Sequence, residues 1–327
     1  MIKVAIIGAS GYTGAELLRL LTLHPEVEIQ SAYSRTNSGK KVAAIHTDLL
    51  GHTDIAFSDQ LPSDSDLWFL CLPHGESADF LTTHAAKIKN TRIIDLSNSF
   101  RHMESASHEG RNFVFGLPEL NAAAIRKADN IANPGCFATA ITLALAPLYH
   151  QGVIGASNEV HVNATTGSTG AGTSLSPTSH FSYRANNLSW YKPFVHQHLA
   201  EISEQLTKTP KATPEIHFLA QRGAFTRGIF ATAYTKTALT LEEAKSLYKG
   251  FYKDAAFTHV SDQEVHLKSV VGTNNCQLHL HKHNDLLLVT SIIDNLLKGA
   301  SGQAVENMNL MYDFKQTTAL GLKATYY

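Results

Sequence analysis

The opening segment of the chain constrains its fold more than any other part of the sequence. An apolar run at residues 3–7 leads directly into Gly8-Ala9-Ser10-Gly11-Tyr12-Thr13-Gly14, and leucines at positions 17, 18, 20 and 21 then follow helical spacing. A glycine turn between a strand and a helix can bring backbone N–H groups and the helix N-terminus to the pyrophosphate of a dinucleotide. The spacing Gly-x-x-Gly-x-x-Gly departs from the commoner Gly-x-Gly-x-x-Gly, so its position between the first strand and the first helix supplies most of its specificity. We predict that a dinucleotide is held by Gly8, Ser10, Gly11, Tyr12, Thr13 and Gly14; the alternative is a purely structural turn.

The alternation of strands and helices continues through the first third of the chain and predicts a parallel sheet. The candidate strands lie at residues 3–7, 28–33, 67–72 and 92–96. After about residue 157 the sequence changes to Thr/Ser/Gly-rich loops, a predicted helix at 194–206 and alternating strands at 216–220, 229–235 and 276–281. We therefore predict an α/β protein in which a Rossmann-like parallel-sheet domain precedes a second, α+β domain. The predicted boundaries are 1–140, joined by a C-terminal helix at about 302–327, and 141–301.

Composition and charge favour a small-molecule partner. The 327 residues include 27 basic and 28 acidic side chains, so the formal net charge of -1 gives no field that would hold nucleic acid or an anionic membrane. The start of the chain lacks a signal-peptide layout, and no segment stays apolar for the ~20 residues that span a bilayer. We expect a cytoplasmic protein that binds neither nucleic acid nor membrane. Because its three cysteines are few and far apart, a disulfide framework is not expected.

The segment after the second predicted strand distinguishes NADP from NAD. An NAD site usually ends this strand with a carboxylate that bonds the ribose hydroxyls, but residues 32–41 contain none. Ser34, Arg35 and Ser38 offer donors instead, and a guanidinium suits a 2′-phosphate through paired hydrogen bonds. The sequence therefore favours NADP, with a solvated basic loop as the alternative reading.

Cys136 is the candidate nucleophile among the three thiols. It follows Asn133-Pro134-Gly135 and precedes an apolar helical run at 140–148, and the positive end of a helix dipole favours a thiolate. Cys71, in an apolar strand, and Cys276 are more simply packing residues. An inert buried thiol is also possible for Cys136, since free cysteine is among the most buried residue types.

Several motifs, in order along almost the whole chain, resemble those of the N-acetyl-gamma-glutamyl-phosphate reductases of arginine biosynthesis. Besides the glycine turn and Asn133-Pro134-Gly135-Cys136, they are Leu72-Pro73-His74-Gly75-Glu76-Ser77, Ile94-Asp95-Leu96-Ser97 with Phe100-Arg101, Phe115-Gly116-Leu117-Pro118-Glu119-Leu120 and Ile293-Asp294-Asn295-Leu296-Leu297-Lys298-Gly299-Ala300. The resemblance implies an NADP domain, a catalytic domain that also makes subunit contacts, and Cys136 as nucleophile. It further implies cofactor contacts for Pro73, Ser77 and Asn295.

The chain departs from the family pattern within the predicted second domain. It has Thr169-Gly170-Ala171-Gly172-Thr173 where Ser-Gly-Ala-Gly-Arg is usual, Ser182 where an acidic residue is common, and Ala220-Gln221 in place of Pro-His. Because these positions belong to the predicted substrate domain, they leave open whether the N-acyl group is acetyl, succinyl or a carrier protein.

The segment His196-Gln197-His198-Leu199-Ala200-Glu201-Ile202 resembles the family's His-x-His-x-x-Glu-Ile motif. Residues three apart share a helix face, so Glu201 could orient His198 as the acid/base group, with His196 as its rival and otherwise a substrate contact. Arg101 and Arg227 are candidates for holding phosphate or a carboxylate, unless they form ordinary surface ion pairs. Asn133 is also assigned to the substrate site.

The predicted reaction is the NADPH-dependent reduction of N-acyl-gamma-glutamyl phosphate to the semialdehyde and phosphate, through a thioester on Cys136. The alternatives are an aspartate-semialdehyde dehydrogenase-type reductase and a catalytically silent NADP-binding regulator. A metalloenzyme built on His279, His281 and His283 is a further alternative, but two-residue alternation is also typical of a half-exposed strand, so no metal is predicted. A homodimer or a homotetramer is expected.

Overall fold

A computed structural model of the chain describes residues 1–155, 157–207 and 215–327. The strands within these ranges are β1 (Ile2–Ile7), β2 (Val27–Tyr33), β3 (Phe57–Ser58), β4 (Leu67–Leu70), β5 (Arg92–Asp95), β6 (Ser107–His108), β7 (Arg111–Phe115), β8 (Asn130–Ala132), β9 (Glu159–Thr166), β10 (Ser189–Tyr191), β11 (Glu215–Arg222), β12 (Ile229–Lys236), β13 (Thr258–Ser261), β14 (Cys276–His283) and β15 (Leu286–Ile293). The helices are α1 (Tyr12–Leu21), α2 (Val42–Ile45), α3 (Glu76–Thr83), α4 (Pro118–Ile125), α5 (Cys136–His150), α6 (Phe181–Arg184), α7 (His198–Thr207), α8 (Leu241–Phe251) and α9 (Gly302–Met311). A π-helical turn, Leu297–Ser301, precedes α9.

The chain forms two compact units. The first contains Met1–Pro134 and Ala300–Gly321, and the second contains Gly135–Gly299 and Leu322–Tyr327. The predicted boundary after residue 140 would divide α5, which is one continuous helix beginning at Cys136. Within the C-terminal segment predicted at 302–327, the helix α9 spans Gly302–Met311, which is the helical run that the sequence predicts, and the chain after residue 321 belongs to the second unit.

The first unit is built on a sheet with the strand order β3-β2-β1-β4-β5-β8-β7-β6. Its neighbouring strands are parallel except for the short pair β6 and β7. The chain moves outward from β1 to β3 and then crosses back to β4 on the other side of β1. The carboxyl ends of β1 and β4 therefore form a topological switch point, where open α/β sheets bind their ligands. The parallel sheet and the Rossmann-like order confirm the predicted class of this unit.

The second unit contains a mixed sheet with the strand order β10-β11-β9-β12-β15-β14-β13. The pairs β9/β11 and β13/β14 are parallel and the others are antiparallel. Burial alternates along β9 and β12, so one face of the sheet packs in the core while the other is partly exposed. Helices α5 and α8 contact strands of this sheet, and α7 packs on α5. This arrangement confirms the predicted α+β class.

Helix α5 is the central buried helix of the second unit, with all of residues 137–148 buried. Pro147 lies inside it and cannot donate the helical hydrogen bond to the carbonyl of Leu143. The hydroxyl of Tyr252 donates to that carbonyl over 2.6 Å, which satisfies the acceptor that the proline leaves. The apolar helix α5 has 15 residues, fewer than a bilayer-spanning helix needs. In the described part of the chain, no helix is long and apolar enough to cross a bilayer.

Candidate active site

The glycine turn after β1 is shaped by close backbone approaches. Gly8 has a φ of +87°, and a Cβ there would lie 2.4 Å from the carbonyl oxygen of Cys71 at the end of β4. A Cβ on Gly14 would lie 2.6 Å from Cα of Ala9, so α1 packs directly on the turn. Gly11, the residue before α1, is less crowded, since its nearest such contact is 3.7 Å. Two of the three glycines are thus sterically required, and the turn delivers the N-terminus of α1 to the switch point, which fits a pyrophosphate.

The end of β2 brings the predicted NADP-selecting residues to the same edge of the sheet. The hydroxyl of Ser34 donates to Oγ of Ser10 over 3.1 Å, which joins the turn after β1 to the segment after β2. Arg35 and Ser38 are exposed, and no described carboxylate lies within ion-pair distance of Arg35. An available guanidinium beside these hydroxyls fits the 2′-phosphate of NADP.

Ser77 and Pro73 have different environments in the first unit. Ser77 is fully buried in the first turn of α3, and its hydroxyl donates to Oδ1 of Asp95 over 2.6 Å. Burial raises the pKa of Asp95, while hydrogen bonds from Ser77 and Ser97 act in the opposite direction. Pro73 is exposed in the loop before α3. Ser77 therefore anchors this loop, and its cofactor contact stays a prediction.

Cys136 is the first residue of α5 and is partly exposed. The backbone N–H of Gly135 donates to Oε2 of Glu201 over 3.1 Å, which fixes the turn before the thiol. On another side, a Cβ on Gly299 would lie only 2.8 Å from Cβ of Cys136. The side chain of Cys136 therefore occupies space that a side chain at position 299 would need. Cys136 begins α5, where the positive end of a helix dipole favours a thiolate, and its role as the nucleophile stays a prediction.

The two histidines of the His-x-His motif differ in what they contact. Nε2 of His198 lies 3.8 Å from Oε1 of Glu201, which is 1% exposed. Nδ1 of His196 instead accepts a hydrogen bond from the backbone N–H of His198 over 3.2 Å. Burial, together with the charge of Lys192, lowers the pKa of His196 to about 4. His196 is therefore neutral near pH 7 and a weak base, and the assignment of His198 as the acid/base group stays a prediction.

The start of helix α7 differs from the prediction. The expected helix began at residue 194, but α7 begins at His198, so His196 precedes it. Lys192 and Phe194 have φ values of 45° and 62°, in the left-handed region, and this backbone cannot continue a right-handed helix. Phe194 and Val195, which the predicted helix included, precede α7 and are exposed.

Arg101 and Asn133 belong to one hydrogen-bonded cluster of the first unit. Arg101 is 5% exposed and donates to the carbonyl oxygens of Asn133 and Leu96. The amide of Asn133 donates to the carbonyl of Ala300 and its oxygen accepts from Asn307. These bonds hold the chain segment that leads to Cys136, so both residues stabilise this part of the fold. Their contacts with substrate stay predictions.

Arg227 and Asn295 are engaged within the second unit. Arg227 forms a two-pronged pair with the buried Asp294, at 3.0 and 3.1 Å. Asn295 accepts from the backbone N–H of Gly228 over 2.7 Å and donates to the hydroxyl of Thr169 over 3.0 Å. Both side chains thus position the loop around residue 228, and their direct substrate and cofactor contacts stay predictions.

Sequence reasoning missed two residues near Cys136, Tyr191 and Gly299, and the Arg222 side chain that lies beside Tyr191. Burial raises the pKa of Tyr191 to about 12, and the charge of Cys136 adds to the rise. The guanidinium carbon of Arg222 lies 4.9 Å from the centroid of the Tyr191 ring. Tyr191 and Arg222 come together because β10 pairs with β11, and no motif in the sequence signalled that pairing. Gly299 stands within a recognised motif, but its contact with Cys136 is visible only in three dimensions.

The histidines of β14 alternate with buried leucines, as a half-exposed strand requires. His279 is partly exposed and His281 and His283 are exposed, while Leu278 and Leu280 are buried. Among the described residues, the group of possible ligands whose donor atoms lie within 4.8 Å of one another is instead Glu159, His161 and His217, on β9 and β11. The metalloenzyme alternative therefore gains no support from β14.

Comparisons with known proteins agree with the two units. A family described as "Semialdehyde dehydrogenase, NAD binding domain" matches residues 3–128, and one described as "Semialdehyde dehydrogenase, dimerisation domain" matches residues 136–295. A curated protein of Christiangramia forsetii named "N-acetyl-gamma-glutamyl-phosphate reductase" is 53% identical over 328 residues, which cover 100% of both chains. A protein of the same name from Flavobacterium johnsoniae is 51% identical, with 99% of each chain covered.

Solved structures share the fold at low sequence identity. The aspartate semialdehyde dehydrogenase II of Vibrio cholerae, complexed with ASA, superposes with a TM-score of 0.71 at 17% identity, covering 96% of this chain and 98% of that one. The aspartate semialdehyde dehydrogenase of Candida albicans, with NADP, gives a TM-score of 0.66 at 13% identity, with 96% and 99% covered. These likenesses establish the fold.

Proposed function

The chain belongs to the N-acetyl-gamma-glutamyl-phosphate reductase family of semialdehyde dehydrogenases, and from this premise we propose that Cys136 carries its reaction through a thioester. The enzyme is an NADP-dependent oxidoreductase of arginine biosynthesis that reduces an N-acyl-gamma-glutamyl phosphate to the semialdehyde. The observation that carries the thioester proposal is the setting of Cys136, at the start of α5 and beside a turn held by Glu201.

The first step forms the covalent bond. His198 takes the thiol proton of Cys136, and the resulting thiolate attacks the acyl carbon of the substrate. The carbon–oxygen bond to phosphate breaks, and the proton on His198 passes to the departing phosphate. Because Glu201 is buried beside His198, its negative charge stabilises the protonated imidazole between these two transfers.

The second step releases the product. Bound NADPH supplies the hydride that adds to the thioester carbon. Cys136 then leaves as a thiolate while the aldehyde forms, and it regains a proton from solvent through His198. The balance is one acyl phosphate, one NADPH and one proton consumed, with one semialdehyde, one NADP⁺ and one phosphate produced.

The residues of the first unit fit the cofactor. Gly8 and Gly14 let the turn pack closely on the end of β4 and on α1, and this packing brings the N-terminus of α1 to the place where a pyrophosphate would bind. Ser34 and the exposed Arg35 suit the 2′-phosphate. We assign Pro73, Ser77 and Asn295 to the nicotinamide end, as the family motifs imply.

A phosphate-dependent assay of NADP⁺ reduction tests the proposal. We expect activity with an N-acylglutamate semialdehyde and loss of it in Cys136→Ser. Activity with aspartate semialdehyde alone would instead identify the related dehydrogenase reaction. A silent NADP-binding regulator would bind NADPH but show no turnover and an unreactive Cys136.

The match to a dimerisation domain supports association of at least two copies. We propose a homodimer or a homotetramer in the cytoplasm. Mass measurement in solution would separate the two assemblies, and a monomer that retains full activity would overturn both.

A further inference from the structure

Two copies of one short pattern lie side by side on neighbouring strands of the second unit. Strands β9 and β11 both begin with a glutamate and carry a histidine two residues later. The strands are parallel, and their register places Glu159 beside Glu215 and His161 beside His217. On each strand the residue between glutamate and histidine is buried, so these four side chains share the outer, partly exposed face of the sheet.

This register brings like groups together. Two carboxylates directly opposite each other on neighbouring strands repel, which destabilises the pairing of the strands. Nε2 of His161 lies 3.8 Å from a carboxylate oxygen of Glu159, and Nε2 of His217 lies 3.6 Å from one of Glu215. Both separations are longer than a good hydrogen bond. A cation among the four groups would replace the repulsion with attraction, and each of the four side chains can offer it a lone pair.

Three of these side chains bring their ligand atoms together. One carboxylate oxygen of Glu159 and one ring nitrogen each of His161 and His217 lie within 4.8 Å of one another. Ligand atoms bound to a tetrahedral zinc ion stand about 3.4 Å apart, so shifts of about 1 Å would bring these atoms to the ion. The side chain of Glu159 is 63% exposed, so it is free to make such a shift and the ion can enter from solvent.

Aromatic neighbours hold the two imidazole rings. The His161 ring stacks on that of His217, with centroids 4.8 Å apart and an angle of 27° between the planes. It also stacks on the ring of Tyr234, at 5.0 Å and 14°. The ring of Phe194 packs edge-on against His217, with centroids 6.4 Å apart. Rings that are already ordered lose little conformational freedom when they bind an ion.

We propose that Glu159, His161 and His217 bind one zinc ion, which joins β9 to β11 on the outer face of the sheet. Imidazole nitrogen and carboxylate oxygen are ligands that suit Zn²⁺, and Glu215 or a water molecule completes the four-coordinate site. The ion has a structural role, because none of these residues belongs to the proposed reaction, and the inference does not depend on that reaction. The sequence does not signal the site, because its two halves are far apart in the chain.

Calorimetric titration of the full chain with Zn²⁺, after removal of metals by a chelator, tests the inference. Cys136→Ser serves as the parent protein, so that this thiol cannot bind the ion. We expect the parent to bind zinc with a dissociation constant in the micromolar range. His217→Gln should weaken this binding at least about 10-fold, since the loss of a group that merely supports a ligand already costs about 10- to 100-fold. His281→Gln is the matched control, because His281 is an exposed histidine of β14 in the same sheet, and its affinity should equal that of the parent.

Thermal unfolding with and without Zn²⁺ separates loss of the site from loss of the fold. Because an ion that binds only the folded chain stabilises it, zinc should raise the midpoint temperature of the parent and of His281→Gln. It should raise that of His217→Gln much less. Glu159→Gln provides a second variant, since its exposed side chain can be changed with little effect on the fold and its affinity for zinc should also decrease.

A parent protein that binds no zinc would overturn the inference, because the glutamates and histidines would then form direct ion pairs only. Zinc binding that survives unchanged in both His217→Gln and Glu159→Gln would also overturn it, since the ion would then lie elsewhere. Neither result depends on whether the enzyme reduces an acyl phosphate, so failure of the proposed function leaves this test intact.

Discussion

Glu201 accepts a 3.1 Å hydrogen bond from the backbone N–H of Gly135 through Oε2, while its Oε1 lies 3.8 Å from Nε2 of His198. One buried carboxylate thus contacts both the residue before Cys136 and the proposed acid/base group. Because Glu201 is 1% exposed, solvent screens these interactions weakly. The placement of the nucleophile and the charge of the imidazole depend on the same side chain.

Glu201→Gln separates these two roles. It keeps an oxygen that can accept from Gly135 but removes the charge beside His198, so we expect kcat to fall about 10²-fold, the lower end of general acid–base effects. Glu201→Ala also removes the acceptor and should lower the free energy of unfolding by about 1–3 kcal/mol. Steady-state kinetics and chemical denaturation measure the two effects. A Glu201→Gln enzyme with the kcat of the wild type would contradict this role.

Gly299→Ala tests the space beside the thiol. The added methyl would meet Cβ of Cys136 at 2.8 Å, and displacement of a reacting group by about 1 Å can cost 10²-fold in rate. We expect a loss of kcat of about that size. Gly250→Ala is the control, because nothing lies within 4 Å of a Cβ there and alanine favours helix α8. Equal kcat values for the two variants would show that Gly299 does not position Cys136.

The sequence predicted the local features of this site better than its long-range ones. The glycine turn and the position of Cys136 before a helix depend on neighbouring residues, so spacing alone reveals them. Tyr191 meets Arg222 only because β10 pairs with β11, and Gly299 meets Cys136 only because the π-helical turn that contains Gly299 lies against the start of α5. The start of α7 was predicted too early because left-handed backbone at Phe194 is invisible in an apolar pattern.

His196 should make stability fall in weakly acidic solution. Its pKa of about 4 in the folded chain lies below the ordinary value of 6.5, so the unfolded chain binds the proton first as the pH decreases. The contribution of His196 to the free energy of unfolding is fully present above pH 6.5. It decreases progressively toward pH 4 and changes no further below that. His196→Asn keeps a hydrogen-bond acceptor for the N–H of His198 but cannot titrate.

Thermal unfolding at several pH values measures this difference. Between pH 7 and pH 4 we expect the midpoint temperature of unfolding to decrease less in His196→Asn than in the wild type. Parallel decreases in the two proteins would show that other groups dominate in this window.

Arg35→Ser should weaken the preference for NADP. Loss of charged hydrogen bonds to the 2′-phosphate should raise the KM for NADPH by about 10- to 100-fold, with little change for NADH, which lacks that group. Lys127→Ser, at another exposed cation of the first unit, should leave both values unchanged. The ratio of specificity constants for the two cofactors is the measurement. An unchanged ratio in Arg35→Ser would place the 2′-phosphate elsewhere.

The intact mass of the protein after the reverse half-reaction tests the thioester most directly. With N-acylglutamate semialdehyde and NADP⁺ but no phosphate, hydride removal should stop at the acylated enzyme. We expect one NADPH and one acyl adduct per chain, with the adduct located on Cys136 by peptide mapping and absent from Cys136→Ser. Formation of NADPH without an adduct, or an adduct on another residue, would contradict it.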